Sequence, residues 1–157
     1  MLQIAKNVRE AARVNFALFV IVGILGVGIW PAIYLIKRTK KINDALGAEV
    51  IASWIPVTVL ILLIISLVCR FFGSSDDIVG LGELLALVNG VIYIVMAFKA
   101  KRAIESVVID QWGIASYKLN VVYTFFFTIF YVVYCLNDLD TVVTRSGRAD
   151  LPVAAHA

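Results

Sequence analysis

The chain is poor in the residues that chemistry at a site usually needs. Its 157 residues include one histidine, two cysteines and three prolines, and only 16% are charged. A single histidine gives acid–base catalysis little to work with near neutral pH. Two cysteines without a spacing pattern make neither a disulfide framework nor a zinc site. No HExxH motif, phosphate-binding glycine loop or nucleophile–base pair is present. We therefore expect no catalytic residues, no metal and no cofactor. The basic residues lie in short, scattered loops, which argues against a nucleic-acid interface. His156 stands alone after Pro152 and reads as part of a tail.

What the chain has in excess is apolar surface. Apolar residues make up 62%, against ~45–50% in an average soluble domain. A core of this size cannot hide that much, so lipid is the expected surroundings. Runs without charge number 23 residues between Arg13 and Lys37, 20 between Glu49 and Arg70, and 19 between Lys118 and Asp138. Another 21 residues between Asp77 and Lys99 are broken only by Glu83. About 20 helical residues cross a ~30 Å hydrocarbon layer. The runs are continuous rather than alternating, so helices and not barrel strands are expected.

The expected fold is thus all-α: a four-helix membrane bundle with spans at about 15–36, 51–72, 78–98 and 119–137, and a polar tail over 141–157. Punctuation agrees with these limits. Ser53, Trp54 and Pro56 suit a capped helix start, Gly47 and Gly73 suit helix ends, and Asp76 or Asp77 suits a cap. Residues 1–14 repeat Met1, Ile4, Ala5, Val8, Ala11 and Ala12 at helical spacing, with Lys6, Arg9, Glu10 and Arg13 elsewhere on the wheel. That pattern fits an amphipathic helix in the headgroup layer; packing against the rest of the protein is the plainer alternative.

Four spans leave eight Lys and Arg residues on one side and six on the other, a weak bias placing the loops after spans one and three in the cytoplasm. A competing arrangement makes the first run a re-entrant hairpin broken at Gly23, Gly26, Gly28 and Pro31. The count then becomes eleven against three. Because only five residues separate Pro31 from Lys37, a continuous, kinked span is preferred. Insertion in both orientations is a third reading.

The chain also repeats itself. Gly28-Ile29-Trp30-Pro31-Ala32-Ile33-Tyr34 leads into Lys37-Arg38, and Gly90-Val91-Ile92-Tyr93 leads into Lys99 and Lys101-Arg102. Ile129-Phe130-Tyr131-Val132-Val133-Tyr134 leads into Asn137-Asp138-Leu139. These blocks resemble an uncharacterised family of small bacterial integral-membrane domains that repeat Gly–Ile/Phe–Tyr–x–x–Tyr–Trp, then Lys/Arg, then Asn-Leu. The likeness covers roughly residues 16–140. It implies a helical, multi-pass protein of the bacterial cytoplasmic membrane and no catalytic role. Without the resemblance, the blocks read as interfacial anchors that set helix depth.

Three sets of residues carry the functional expectations. Lys37, Arg38, Lys40, Lys41, Lys99, Lys101 and Arg102 could form one patch for anionic lipid headgroups. Glu83 and Asn89 are polar groups inside an apolar run, where an ion or proton path is the alternative to solvation at a helix end. Asn89 needs a partner across a helix interface, with Thr124, Thr128 and Tyr131 as candidates. Gly82, Ala86 and Gly90 make a small-residue stripe, either packing within the bundle or serving as a homo-oligomer seam. Cys69 and Cys135 fall at span ends that share a face in an up-down bundle, but read as packing residues rather than a disulfide. The leading functional expectation is a structural or interaction protein of the membrane, responsive to lipid. The alternative is a small oligomeric transporter or channel using Glu83 and Asn89.

Overall fold

A computed structural model describes residues 1–25 and 28–149. Helices account for nearly all of it: α1 (Leu2–Ala12), α2 (Phe16–Leu25), α3 (Ile29–Leu46), α4 (Ile55–Phe72), α5 (Asp76–Ser106) and α6 (Val121–Ala149). A π-helical turn over Val107–Gln111 prolongs α5. By length and composition three helices are long and apolar enough to cross a membrane, Ile55–Phe72, Asp76–Gln111 and Val121–Ser146, but the last is interrupted at Thr128.

The α4–α5 pair is a straight antiparallel hairpin turning at 73–75. Pro56, Val59, Leu63 and Ser66 are the buried residues of α4, at spacings of three and four. They face Gly82, Asn89 and Met96 of α5, spaced by seven. Such a heptad seam is how two helices stay in register over several turns. Its tightest point is Gly82, where an added Cβ would lie 2.9 Å from the Ser66 carbonyl oxygen. The Ser66 hydroxyl donates to the Gly82 carbonyl at 2.7 Å.

The first apolar run is not one kinked span. It is two helices lying side by side. The rings of Phe19 and Tyr34 are 4.8 Å apart, and a Cβ on Gly23 would lie 3.2 Å from Pro31. In a continuous helix residues 19 and 34 would be separated by about 22 Å. The chain resumes at Gly28, whose φ of 82° is left-handed and suits glycine, and α3 returns antiparallel to α2. Five residues between Pro31 and Lys37 are too few for a full return across the bilayer, which is what favours a continuous span on sequence alone. A return from mid-depth needs only about ten residues. Apolar residues 29–36 nearly supply them, and the lysines follow on the same helix. Gly26, one of the expected breaks, lies outside the described residues.

The fourth run also reverses. Thr128 has φ 42° and ψ −121° in the midst of α6. The Asn120 backbone N–H donates to the Tyr131 hydroxyl at 3.0 Å, and the rings of Tyr123 and Tyr131 are 5.7 Å apart. Eleven residues of straight helix rise about 16 Å, beyond the reach of a tyrosine. The limbs 121–127 and 129–149 therefore fold back on each other. The second limb packs along α2, with Phe16 against Tyr134 at 5.3 Å and Phe19 against Phe130 at 5.2 Å.

Other limits move less. Pro56 lies in the first turn of α4, but the N-cap is Trp54 and no side chain caps it, so Ser53 has no capping role. Ser75 rather than Asp76 or Asp77 is the N-cap of α5. Gly47 ends α3 in a left-handed conformation, as expected. The anticipated tail is helical to Ala149 and buries Val143; His156 lies outside the described residues. Cys69 and Cys135 are free thiols.

Candidate functional site: the polar latch and the basic end

The open ends of both reversals, α1, the lysine-rich half of α3 and the outer turns of α5 gather at one end of the α4–α5 hairpin. Sequence explains why α1 joins them. Its small residues Ala5, Val8, Ala11 and Ala12 form a buried stripe, which lets the helix lie close on α3 and α6. Its last carbonyls have no helical partners and take donors from other elements. The Tyr34 hydroxyl donates to the Ala12 carbonyl, as does the Asn137 amide at 3.2 Å. The Arg38 guanidinium donates to the Ala11 carbonyl at 3.4 Å. Arg9 donates to Asp140 Oδ2 at 2.6 Å. Helix packing on protein thus takes up the stripe, while Met1 and Ile4, assigned to the same face, remain exposed at 65% and 42%.

Two further clamps stiffen this end. Asn43 donates to the Ile51 carbonyl at 2.8 Å and accepts from the Val50 and Ile51 amides at 3.0 and 3.3 Å. This fixes the loop between α3 and α4. Glu105 accepts both from Lys101 at 2.7 Å and from the Leu119 amide at 2.7 Å. That ties α5 to the segment entering α6. Beside it, burial pushes the Tyr117 phenol above its ordinary pKa, and nearby Glu105 and Asp138 act in the same direction.

The expected basic patch is therefore divided by use. Lys101 is neutralised by Glu105, and Arg38 is turned to the end of α1. Lys37, Lys40, Lys41, Lys99 and Arg102 remain exposed at the same end of the molecule. Glu83 and Asn89 do not come together. Glu83 is exposed, whereas Asn89 is 3% exposed on the α4–α5 seam, with no partner for its Oδ1 among the described residues. None of its expected partners reaches it: Thr124 bonds the Asn120 carbonyl and Tyr131 the Asn120 amide. Of the small-residue stripe, Gly82 closes on α4, Ala86 is half-buried and Gly90 faces open space. The packed row follows a period of seven, not four.

Sequence reading missed the structural work of Tyr34, Asn43, Asn120 and Asn137. Asn120 caps α6, accepting from the Val122 amide at 2.8 Å; an asparagine just before an apolar run is a legible cap signal. Nothing in the local sequence marks Tyr34 or Asn137, whose partners lie 22 and 125 residues away.

No protein-family model, curated protein or solved structure matches this chain.

Proposed function

We propose that the chain is a structural, lipid-responsive membrane protein in which α4 and α5 make the complete crossings and the two reversals enter from one leaflet only. The carrying observation is the depth of the first reversal. A Cβ on Gly28 would lie 3.9 Å from Leu63, in the middle of α4, and the Gly28 carbonyl accepts at 3.4 Å from Tyr93, which reaches up from the level of the first turn of α4. With α4 about 27 Å long, the tip of the α2–α3 hairpin stands near mid-depth. Non-helical backbone at that depth is tolerated because it is packed on protein.

Charge supports this arrangement. With both runs reversed, every lysine and arginine except Arg70 falls on the same side as α1. A thirteen-to-one bias replaces the eight-to-six count, and the positive-inside rule then assigns that side to the cytoplasm. The bacterial cytoplasmic membrane is the location that the repeated aromatic–basic blocks imply.

The physical consequence is a wedge. Six helical segments occupy the cytoplasmic leaflet and two occupy the other, so lipids there are displaced unequally. A body of that shape favours membranes whose curvature or lipid mixture relieves the mismatch. This is a packing role and calls for no catalysis. The transport alternative lacks similar support, because Glu83 and Asn89 lie on different faces of α5.

Topology is the decisive test. In a chain with Cys69 and Cys135 replaced by serine, single cysteines at Gln3, Lys40, Ser75 and Thr144 are labelled from each side of sealed vesicles. Gln3, Lys40 and Thr144 should react from one side and Ser75 from the other. Labelling of Gln3 and Thr144 from the side opposite Lys40 would restore four crossings and remove the wedge.

A further inference from the structure

Where α4 and α5 leave the membrane on the basic side, two cavities adjoin. One, of about 240 Å³, is an almost wholly apolar slot bounded by Thr58, Val91 and Val95. The other, of about 280 Å³, is bounded by Glu49 and residues 50–52 and is as polar as it is apolar. They share Trp54, Ile55, Met96 and Lys99. An apolar slot thus opens into a polar chamber at the depth where headgroups begin. The exposed Trp54 indole, 67% accessible, stands at the junction. Tryptophan favours that depth because its ring is apolar and its N–H is polar.

The charges in the chamber narrow the occupant. Glu49 and Lys99 border the same cavity, yet the ion pairs among the described residues are Arg9–Asp140 and Lys101–Glu105. An unpaired anion and an unpaired cation facing one space match a ligand that carries both signs a few ångströms apart. We propose that this site holds one zwitterionic aminophospholipid, such as a phosphatidylethanolamine. An acyl chain lies between α4 and α5, the phosphate meets Lys99, and the primary ammonium donates to Glu49. A quaternary choline has no N–H to donate, and a glycerol headgroup has no cation to offer Glu49. Charge-assisted hydrogen bonds therefore favour the primary amine over both. The proposal rests on the membrane placement argued above and deepens it by naming a lipid.

The test reads Trp54 fluorescence, taken as the difference between the unsubstituted chain and Trp54→Phe. Vesicles of phosphatidylcholine carry a small fraction of chain-brominated phosphatidylethanolamine, phosphatidylcholine or phosphatidylglycerol as quencher. The ethanolamine lipid should quench at least about twofold more strongly than the other two. Lys99→Gln should abolish the preference, and Glu49→Gln should shift it to the glycerol lipid. Equal quenching by all three in the unsubstituted chain overturns the site, as does a preference for the anionic lipid that Glu49→Gln leaves unchanged. Flotation of the chain with vesicles after an alkaline wash separates this failure from that of the membrane reading. A chain that floats but shows no lipid preference refutes the site alone.

Discussion

The two ends of the α4–α5 hairpin are built by different physics. At the basic end, six helical segments and α1 are tied by several hydrogen bonds between separate elements and loops: Tyr34 and Asn137 to Ala12, Asn43 to Val50 and Ile51, Glu105 to Leu119. At the other end, two helices touch along one seam, with Ser66 donating to Gly82. Phe71, Phe72, Leu84 and Leu87 there are 58–82% exposed. The first end completes its own core. The second leaves its apolar surface to whatever surrounds it, which for helices of this composition is hydrocarbon. Where lipid covers the outside, apolar burial no longer drives helices together, and close contact at small residues takes over.

This contrast can be broken from either end. The largest effect is expected at the basic end: Asn43→Ala removes three hydrogen bonds and leaves backbone groups of the loop unpaired, a loss of about 3 kcal/mol. Unfolding by a denaturing detergent, followed by circular dichroism, would measure it. Next comes the other end, where Gly82→Val forces a side chain against the Ser66 carbonyl and should cost about 2 kcal/mol. Cross-linking between cysteines placed at Val68 and Gly80 should weaken with it; unchanged cross-linking would mean that the seam tolerates bulk. Thr128→Gly should act in the opposite sense. The strained φ of a β-branched residue would be relieved, adding about 1 kcal/mol of stability while the tyrosine pair at 123 and 131 persists. Ser66→Ala should cost only about 0.6 kcal/mol, typical for a helix–helix hydrogen bond in a membrane. Smallest is Arg9→Ala. The Arg9 side chain is 56% exposed, so its pair with Asp140 is screened by solvent and should contribute under about 1 kcal/mol, less at high salt.

How much was legible in sequence differs between the same regions. The α4 segment could be read almost to its ends, because ten Leu, Ile and Val residues between Val57 and Val68 have one low-energy conformation in hydrocarbon. Gly47 and Gly73 both mark helix ends, Gly47 through the left-handed conformation that glycine allows and Gly73 in an extended one. The reversals were harder. At the first, the glycines and Pro31 signalled a break, and the Lys and Arg count favoured a hairpin, but the returning half was measured against a whole bilayer. At the second, Thr128 sits among Phe125, Phe126, Phe127 and Phe130, a run with no glycine or proline to mark a turn. Its reversal follows from tertiary packing of Tyr131, Phe130 and Tyr134 on Asn120, Phe19 and Phe16. The basic patch was legible as charge and not as geometry, since pairing of Lys101 with Glu105 and of Arg38 with Ala11 depends on which helices meet.

Composition and uncharged run length alone determined that this chain is helical and rich in segments suited to lipid, because burial of backbone polar groups in an apolar medium leaves few other conformations. Which runs form one straight helix and which turn back was decided by tertiary structure. The free energy separating a straight helix from a hairpin lies in contacts between separate elements, such as Gly28 with Leu63 and Tyr131 with Asn120, and no local pattern records those.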